Sequence, residues 1–222
     1  AEDLTQQVTN TLSYNREINS NFNLNAVIGH EYMKFDNRNY GLFGQDFTDA
    51  GNLRYYDILQ YSTQGSRGIY VNPGLVDELQ SFFGRAIMNF YDKYLFTATF
   101  RADGSSKFGS NNKYGYFPSL AVAWNIANED FMKGSNLFNS LKVRLSWGKT
   151  GNQEFPSGAS LTRFGFGQQS ISQSNFANED LKWETSTTTN AGIDFSIINN
   201  KVFGSIDYFY KKTTDVLFEQ TI

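Results

Sequence analysis

The adjacent carboxylates Asp77-Glu78, Glu129-Asp130 and Glu179-Asp180 are the first residues here that could do chemistry. Two carboxylates across a sugar bond are what glycoside hydrolysis requires. Adjacent residues on a strand, however, point to opposite faces. Glu129-Asp130 falls in a short connection, where Asn128 is expected to cap a helical turn through Met132. No pair lies in a recognisable acid–base constellation, so no catalytic residue is assigned and the protein is read as a non-enzyme. With 1 His and 0 Cys, the chain cannot build a histidine cage, a thiolate metal site or a disulfide. His30, next to Tyr32 on its strand face, reads as an interfacial side chain. No metal and no cofactor are expected.

The remaining candidates bind rather than react. Tyr40, Phe43, Tyr55, Tyr56, Tyr61 and Tyr70 crowd residues 36–79, which read as one long loop. Exposed aromatics stack on sugar rings or bury into a protein partner, and they also pack a loop against its neighbours. Residues 149–185 form a second candidate loop with Phe155, Phe164, Phe166 and Phe176. Part of it is expected to form a strand pair. Arg85, Arg101 and Arg144 fall on polar strand faces and could line a solute path or pair with carboxylates. An ion-pair network among neighbouring strands is the favoured reading. Asp103 precedes Gly104 where a strand enters a loop, which is ordinary turn chemistry.

The elements that position these residues follow from composition and period. Of 222 residues, 19 are Lys or Arg and 22 Asp or Glu, a net charge of −3, which lacks the basic footprint of a nucleic-acid binder. Aromatics reach 17%, too many for a disordered chain. No apolar run approaches the roughly 20 residues of a spanning helix. A mean hydropathy of −0.46 leaves one membrane class open, because alternating barrel strands average out.

Period two recurs throughout. Leu141, Val143, Leu145 and Trp147 share one face, and Lys142, Arg144 and Ser146 the other. The same split sets Leu120, Val122 and Trp124, or Tyr94, Phe96, Ala98 and Phe100, or Phe22, Leu24, Ala26, Ile28 and Tyr32, against small and polar neighbours, with Leu95 and Val27 as exceptions in the second and third sets. Eight strands are expected, near 9–18, 22–35, 80–90, 94–103, 116–125, 140–148, 186–197 and 202–211. Asn19-Ser20-Asn21 is expected to join Ile18 to Phe22. Tyr91-Asp92-Lys93 is expected to join Phe90 to Tyr94. Asn199-Asn200 suits a two-residue turn pairing Ile197 with Val202, since Asn tolerates positive φ. Short turns alternate with long loops, and aromatics flank the strand ends, as in outer-membrane barrels with their aromatic girdles. The fold class read from this is all-β: an antiparallel up-and-down transmembrane barrel segment of about eight strands. The competing fold is a soluble β-sandwich that binds carbohydrate. It would bury Leu120, Val122, Trp124, Leu141, Val143 and Leu145 between two sheets.

Ordered strings sharpen this. Residues 82–85 read FFGR, 92–95 DKYL, 101–109 RADGSSKFG and 112–119 NKYGYFPS. They are followed by WNIANEDFM at 124–132, LKVRLSWGKTGNQ at 141–153, EDLKWET at 179–185 and DYFYKKTTD at 207–215. In this order the series resembles the SusC/RagA family of TonB-dependent outer-membrane transporters of Bacteroidota. The resemblance implies nutrient import of glycans or oligopeptides, with outer-membrane lipid around the barrel. It also implies a SusD-like surface lipoprotein over the mouth and a TonB complex pulling on a plug. Residues 1–222 are expected to be one partial barrel domain, without the plug, the TonB box or the closing C-terminal strand. No signal peptide is expected at the acidic start.

Overall fold

The structure is a computed structural model that describes residues 2–45, 62, 67–134, 137–166 and 171–218. One antiparallel sheet dominates it, in the order β1 (Glu2–Asn19), β2 (Phe22–Phe43), β4 (Asp77–Phe90), β5 (Tyr94–Ser105), β6 (Tyr114–Asn125), β7 (Phe138–Asn152), β10 (Glu184–Ile197) and β11 (Val202–Thr214). A short strand, β3 (Gly68–Pro73), pairs with the far end of β2. A separate hairpin joins β8 (Arg163–Phe166) to β9 (Ile171–Asn175). Neighbours in sequence are neighbours in space, so this is an up-and-down meander. It stays open: β1 and β11 are its two edges.

Register explains why these residues form these strands. Residues opposite each other in an antiparallel ladder share a face. Phe22, Phe90, Tyr94, Trp124, Val143, Ile193 and Ile206 follow one another across seven strands. The next rows are Leu24, Met88, Phe96, Val122, Leu145, Ala191 and Tyr208, then Ala26, Ala86, Ala98, Leu120, Trp147, Thr189 and Tyr210. A one-residue slip in any strand would break this apolar surface, which is why the pairing is unambiguous. The other face carries Arg85, Thr97, Thr99, Arg101, Ser119, Arg144, Ser146, Asp194 and Asp207, with Val27, Ile87, Leu95, Phe203 and Phe209 among them.

No second sheet covers the apolar face among the described residues. Leu120 is 57% exposed and Leu145 51%. The whole chain exposes 15885 Å², where a compact globule of 25.2 kDa exposes roughly 10,000 Å². A sandwich core is therefore not what this alternation builds.

Several boundaries differ from expectation. β1 starts at Glu2 and β2 runs on to Phe43, so Tyr40 and Phe43 belong to a strand rather than a loop. Extended backbone continues past the apolar stretch because β1 supplies ladder partners up to Arg38 and β3 takes over from Arg38 to Phe43. At the first turn Asn19, not Ile18, pairs with Phe22, across a register shift. The other two turns pair Phe90 with Tyr94 and Ile197 with Val202, as their sequences suggest, but the second is a four-residue turn over 198–201 rather than the expected two-residue Asn199-Asn200 turn, because Ile198 also takes positive φ and does not pair with Lys201 in the ladder. They place Tyr91, Asp92, Ile198, Asn199 and Asn200 at positive φ. Asn128 caps no helical turn; its Nδ2 donates to the Asp92 carbonyl at 2.7 Å, and two 3-10 turns, Ile126–Asn128 and Asp130–Met132, follow each other.

Candidate functional site

Two arginine-centred networks span the polar face. On β5, Arg101 Nε donates to Asp103 Oδ1 at 2.6 Å and Oδ2 at 2.9 Å. Its Nη2 reaches Ser81 Oγ on β4 at 2.9 Å and Glu31 Oε1 on β2 at 3.5 Å. Glu31 in turn accepts from Gln7 and Thr9 on β1. Arg101 thus ties three strands, and Glu31 extends the network to a fourth. The guanidinium also lies over the Phe83 ring, 5.7 Å from its centroid. Gly29 opposite is needed for that ring: a Cβ there would fall 2.3 Å from it. Ser81 and Asp103 are buried beneath the network.

On β7, Arg144 grips Asp194 of β10 with two parallel bonds, Nε to Oδ2 at 2.7 Å and Nη2 to Oδ1 at 2.8 Å. This fork geometry suits arginine and not lysine. Nη2 also reaches Asp207 of β11 at 3.2 Å. Arg144, Gly192 and Asp207 stand in one row. A Cβ on Gly192 would meet Asp207 Oδ1 at 2.4 Å and Arg144 Nη2 at 3.0 Å, so glycine opens the path over β10.

At the long-loop end, three aromatics from separate segments form a small core. Phe108, Phe117 and Trp183 are buried, with ring centroids 4.9 Å and 5.4 Å from Trp183. Leu79, Leu181 and Leu217 pack around them. Trp183 Nε1 donates to the Lys113 carbonyl at 3.0 Å. Gly109 lies so close to the Glu179 backbone that no side chain could stand there. Lys107 Nζ donates to the Phe155 carbonyl at 3.1 Å and stands 3.8 Å from Asp77. Residues 106–113, 155–157 and 179–183 are thereby tied to each other and to the sheet rim.

Two of the carboxylate pairs, Asp77-Glu78 and Glu129-Asp130, are structural pins in this geometry, whereas Glu179 and Asp180 are exposed. Glu129, its side chain 12% exposed, accepts from Tyr94 Oη at 2.7 Å, Lys93 Nζ at 2.9 Å and Trp124 Nε1 at 3.0 Å. These donors, Tyr94 first, hold its carboxyl down to about 2. Asp77 takes Lys107 and Ser157, and Glu78 takes the Tyr32 hydroxyl at 2.9 Å. His30 stands against the Phe82 ring and Gln80, with ring centroids 4.8 Å apart in the first case.

The anticipated binding residues are dispersed. Arg85 is exposed on the polar face between Val27 and Thr99, and no described side chain hydrogen-bonds to it. Tyr40 and Phe43 are exposed on the outer reach of β2, and Tyr70 occupies a position on β3 opposite Gly41. Tyr55, Tyr56 and Tyr61 lie outside the described residues. The Phe108, Phe117 and Trp183 core escaped sequence reasoning, although each residue sits in one of the motif strings.

Residues 2–222 match the family described as TonB dependent receptor-like, beta-barrel. The chain belongs to that family. TonB-dependent receptor P3 of Formosa agariphila is 36% identical over 98% of this chain and 22% of its own length. TonB-dependent receptor SusC of Bacteroides thetaiotaomicron is 42% identical over 63% of this chain and 15% of its own. The solved RagAB peptide transporter superposes with a TM-score of 0.85 at 27% identity, over 99% of this chain and 25% of that one. The chain spans about a quarter or less of the relatives it matches. An open sheet with two unpaired edges is what such a segment of a TonB-dependent receptor barrel presents.

Proposed function

We propose that this segment is part of the wall and outer rim of a SusC-like TonB-dependent importer in the outer membrane. The supporting observation is the one-layer sheet with a continuous apolar face and an ion-paired opposite face. The apolar rows meet acyl chains, and the Arg101 and Arg144 networks line a wet lumen, where paired charges need no dry burial. Edges β1 and β11 pair with strands elsewhere in the full barrel, because an open edge in hydrocarbon would leave backbone groups unsatisfied.

The cargo is a glycan or an oligopeptide, a solute too large for passive pores. A SusD-like lipoprotein covers the mouth, and TonB acts through a plug region. In this reading Tyr40, Phe43, Tyr55, Tyr56, Tyr61 and Tyr70 face partner or solute outside the bilayer. Arg85, with no described partner, is the lumen-face arginine best placed to meet the plug or the solute. Uptake of labelled oligosaccharides and oligopeptides by cells with and without the full-length gene tests this. Loss of one class, reproduced by a protonophore, is the expected result. Unchanged uptake of both would refute it.

A further inference from the structure

We infer that Lys149 and Lys212 form a phosphate-binding site on the outside of the barrel for the headgroup of an outer-leaflet lipid. The inference rests on the membrane reading above. Lys149, Thr187 and Lys212 stand in one row across β7, β10 and β11. The row two residues nearer the short turns is Trp147, Thr189 and Tyr210, on the same apolar face as Leu145, Ile193 and Ile206. The two lysines are therefore on the lipid side, immediately beyond aromatic side chains.

Their height agrees. From the turn pair Ile197–Val202 to the pair Thr187–Lys212 the strands climb roughly ten residues. At about 3.3 Å per residue and a tilt of about 40°, that is about 25 Å, the height of the apolar band. The same climb on β4 and β5, from Phe90–Tyr94, reaches Gln80–Gly104, where Tyr114 Oη donates to Gln80 at 2.9 Å. Polar groups return at one level around the sheet.

Charge decides the ligand. Both lysines are exposed, and neither has a hydrogen-bond or ion-pair partner among the described residues. Nearby carboxylates are engaged elsewhere: Asp215 pairs with Lys182 at 2.9 Å, and Glu184 accepts from Asn152 and from the Leu217 amide. Two strand spacings separate the lysines, about 10 Å. Their stems lie along the apolar surface while the ammonium groups reach the headgroup layer. A lysine is a compact point charge suited to phosphate, and the Thr187 hydroxyl between them adds a donor.

Native mass spectrometry of the full-length transporter in non-ionic detergent tests this, with bis-phosphorylated lipid A, its dephosphorylated form and inorganic phosphate as probes. Retention of phosphorylated lipid A should weaken roughly 30-fold in K149Q/K212Q, taking about fivefold for each lysine. Lys211→Gln, one residue away on the opposite face, should leave it unchanged. Equal retention by wild type and K149Q/K212Q, equal binding of the dephosphorylated lipid, or equal loss in K211Q would overturn the site. Displacement of lipid A by millimolar inorganic phosphate would reassign it to free anions and overturn the lipid assignment. Heat-modifiable migration of the same samples separates the two levels. A folded barrel with unaffected lipid retention sinks this inference alone, whereas a protein that forms no outer-membrane barrel sinks the membrane reading with it.

Discussion

At the scale of single residues, the informative side chains are those that collect several partners. Glu129 takes three donors from Lys93, Tyr94 and Trp124, which pin the 3-10 turns at 126–132 to the sheet's end. Its carboxyl is lowered from 4.5 to about 2 in the folded protein. A lowered folded value means the stabilisation is complete above the unfolded value and disappears as pH falls from about 4.5 through 2. Glu129→Gln should therefore lower the unfolding temperature of the full-length protein at pH 7, and the two proteins should converge as pH approaches 2. Calorimetry in detergent across that range checks it; parallel curves would show that Glu129 is not the titrating pin. Arg144 raises a different expectation. Arg144→Met leaves Asp194 and Asp207 in adjacent rows without their shared counter-charge. Lower thermal stability is expected, with partial recovery in the triple variant that also carries Asp194→Asn and Asp207→Asn. Absence of that recovery would remove the ion-pair account.

At the scale of elements, the loop core behaves as a local unit. Trp183 is buried against Phe108 and Phe117, so Trp183→Ala should cost about 3 kcal/mol. The loss should appear as faster amide exchange in 106–113 and 178–183, while β5 to β7 keep their protection. Global loss of protection would show that this core holds the sheet rather than the rim. The alternation of β5, β6, β7 and β10 was readable from the chain, because period two fixes which face each side chain takes. The 91–93 turn and the Ile197–Val202 pairing were readable too, since the turn residues choose among the registers that keep those faces, although the second turn takes four residues instead of two. The outer reach of β2 was not. Asn37, Asn39 and Gly41 read as loop, and only pairing with β1 and β3 keeps them extended. The Phe108, Phe117 and Trp183 contact was hidden too, since it joins segments far apart in sequence and follows no periodicity. Glu129 was legible only as a member of a short turn, because its three donors come from β5, β6 and the 91–93 turn and leave no local pattern in the sequence.

At the scale of the whole molecule, one layer of sheet has to separate two solvents. Leu145→Lys, at mid-height on the apolar face, should destabilise the barrel by about 2–4 kcal/mol, and Ser146→Lys, one residue on and facing the other way, by far less. The most direct measurement uses the absence of cysteine in this segment. Single cysteines at positions 120, 122, 143 and 145, and at 119, 121, 144 and 146, can each carry a spin label in the full-length protein in bilayers. The first set should relax with lipid-dissolved oxygen and the second with a water-soluble nickel chelate, alternating along each strand. Labels that respond alike on both faces, or with the faces exchanged, would contradict the division of this sheet between lipid and water.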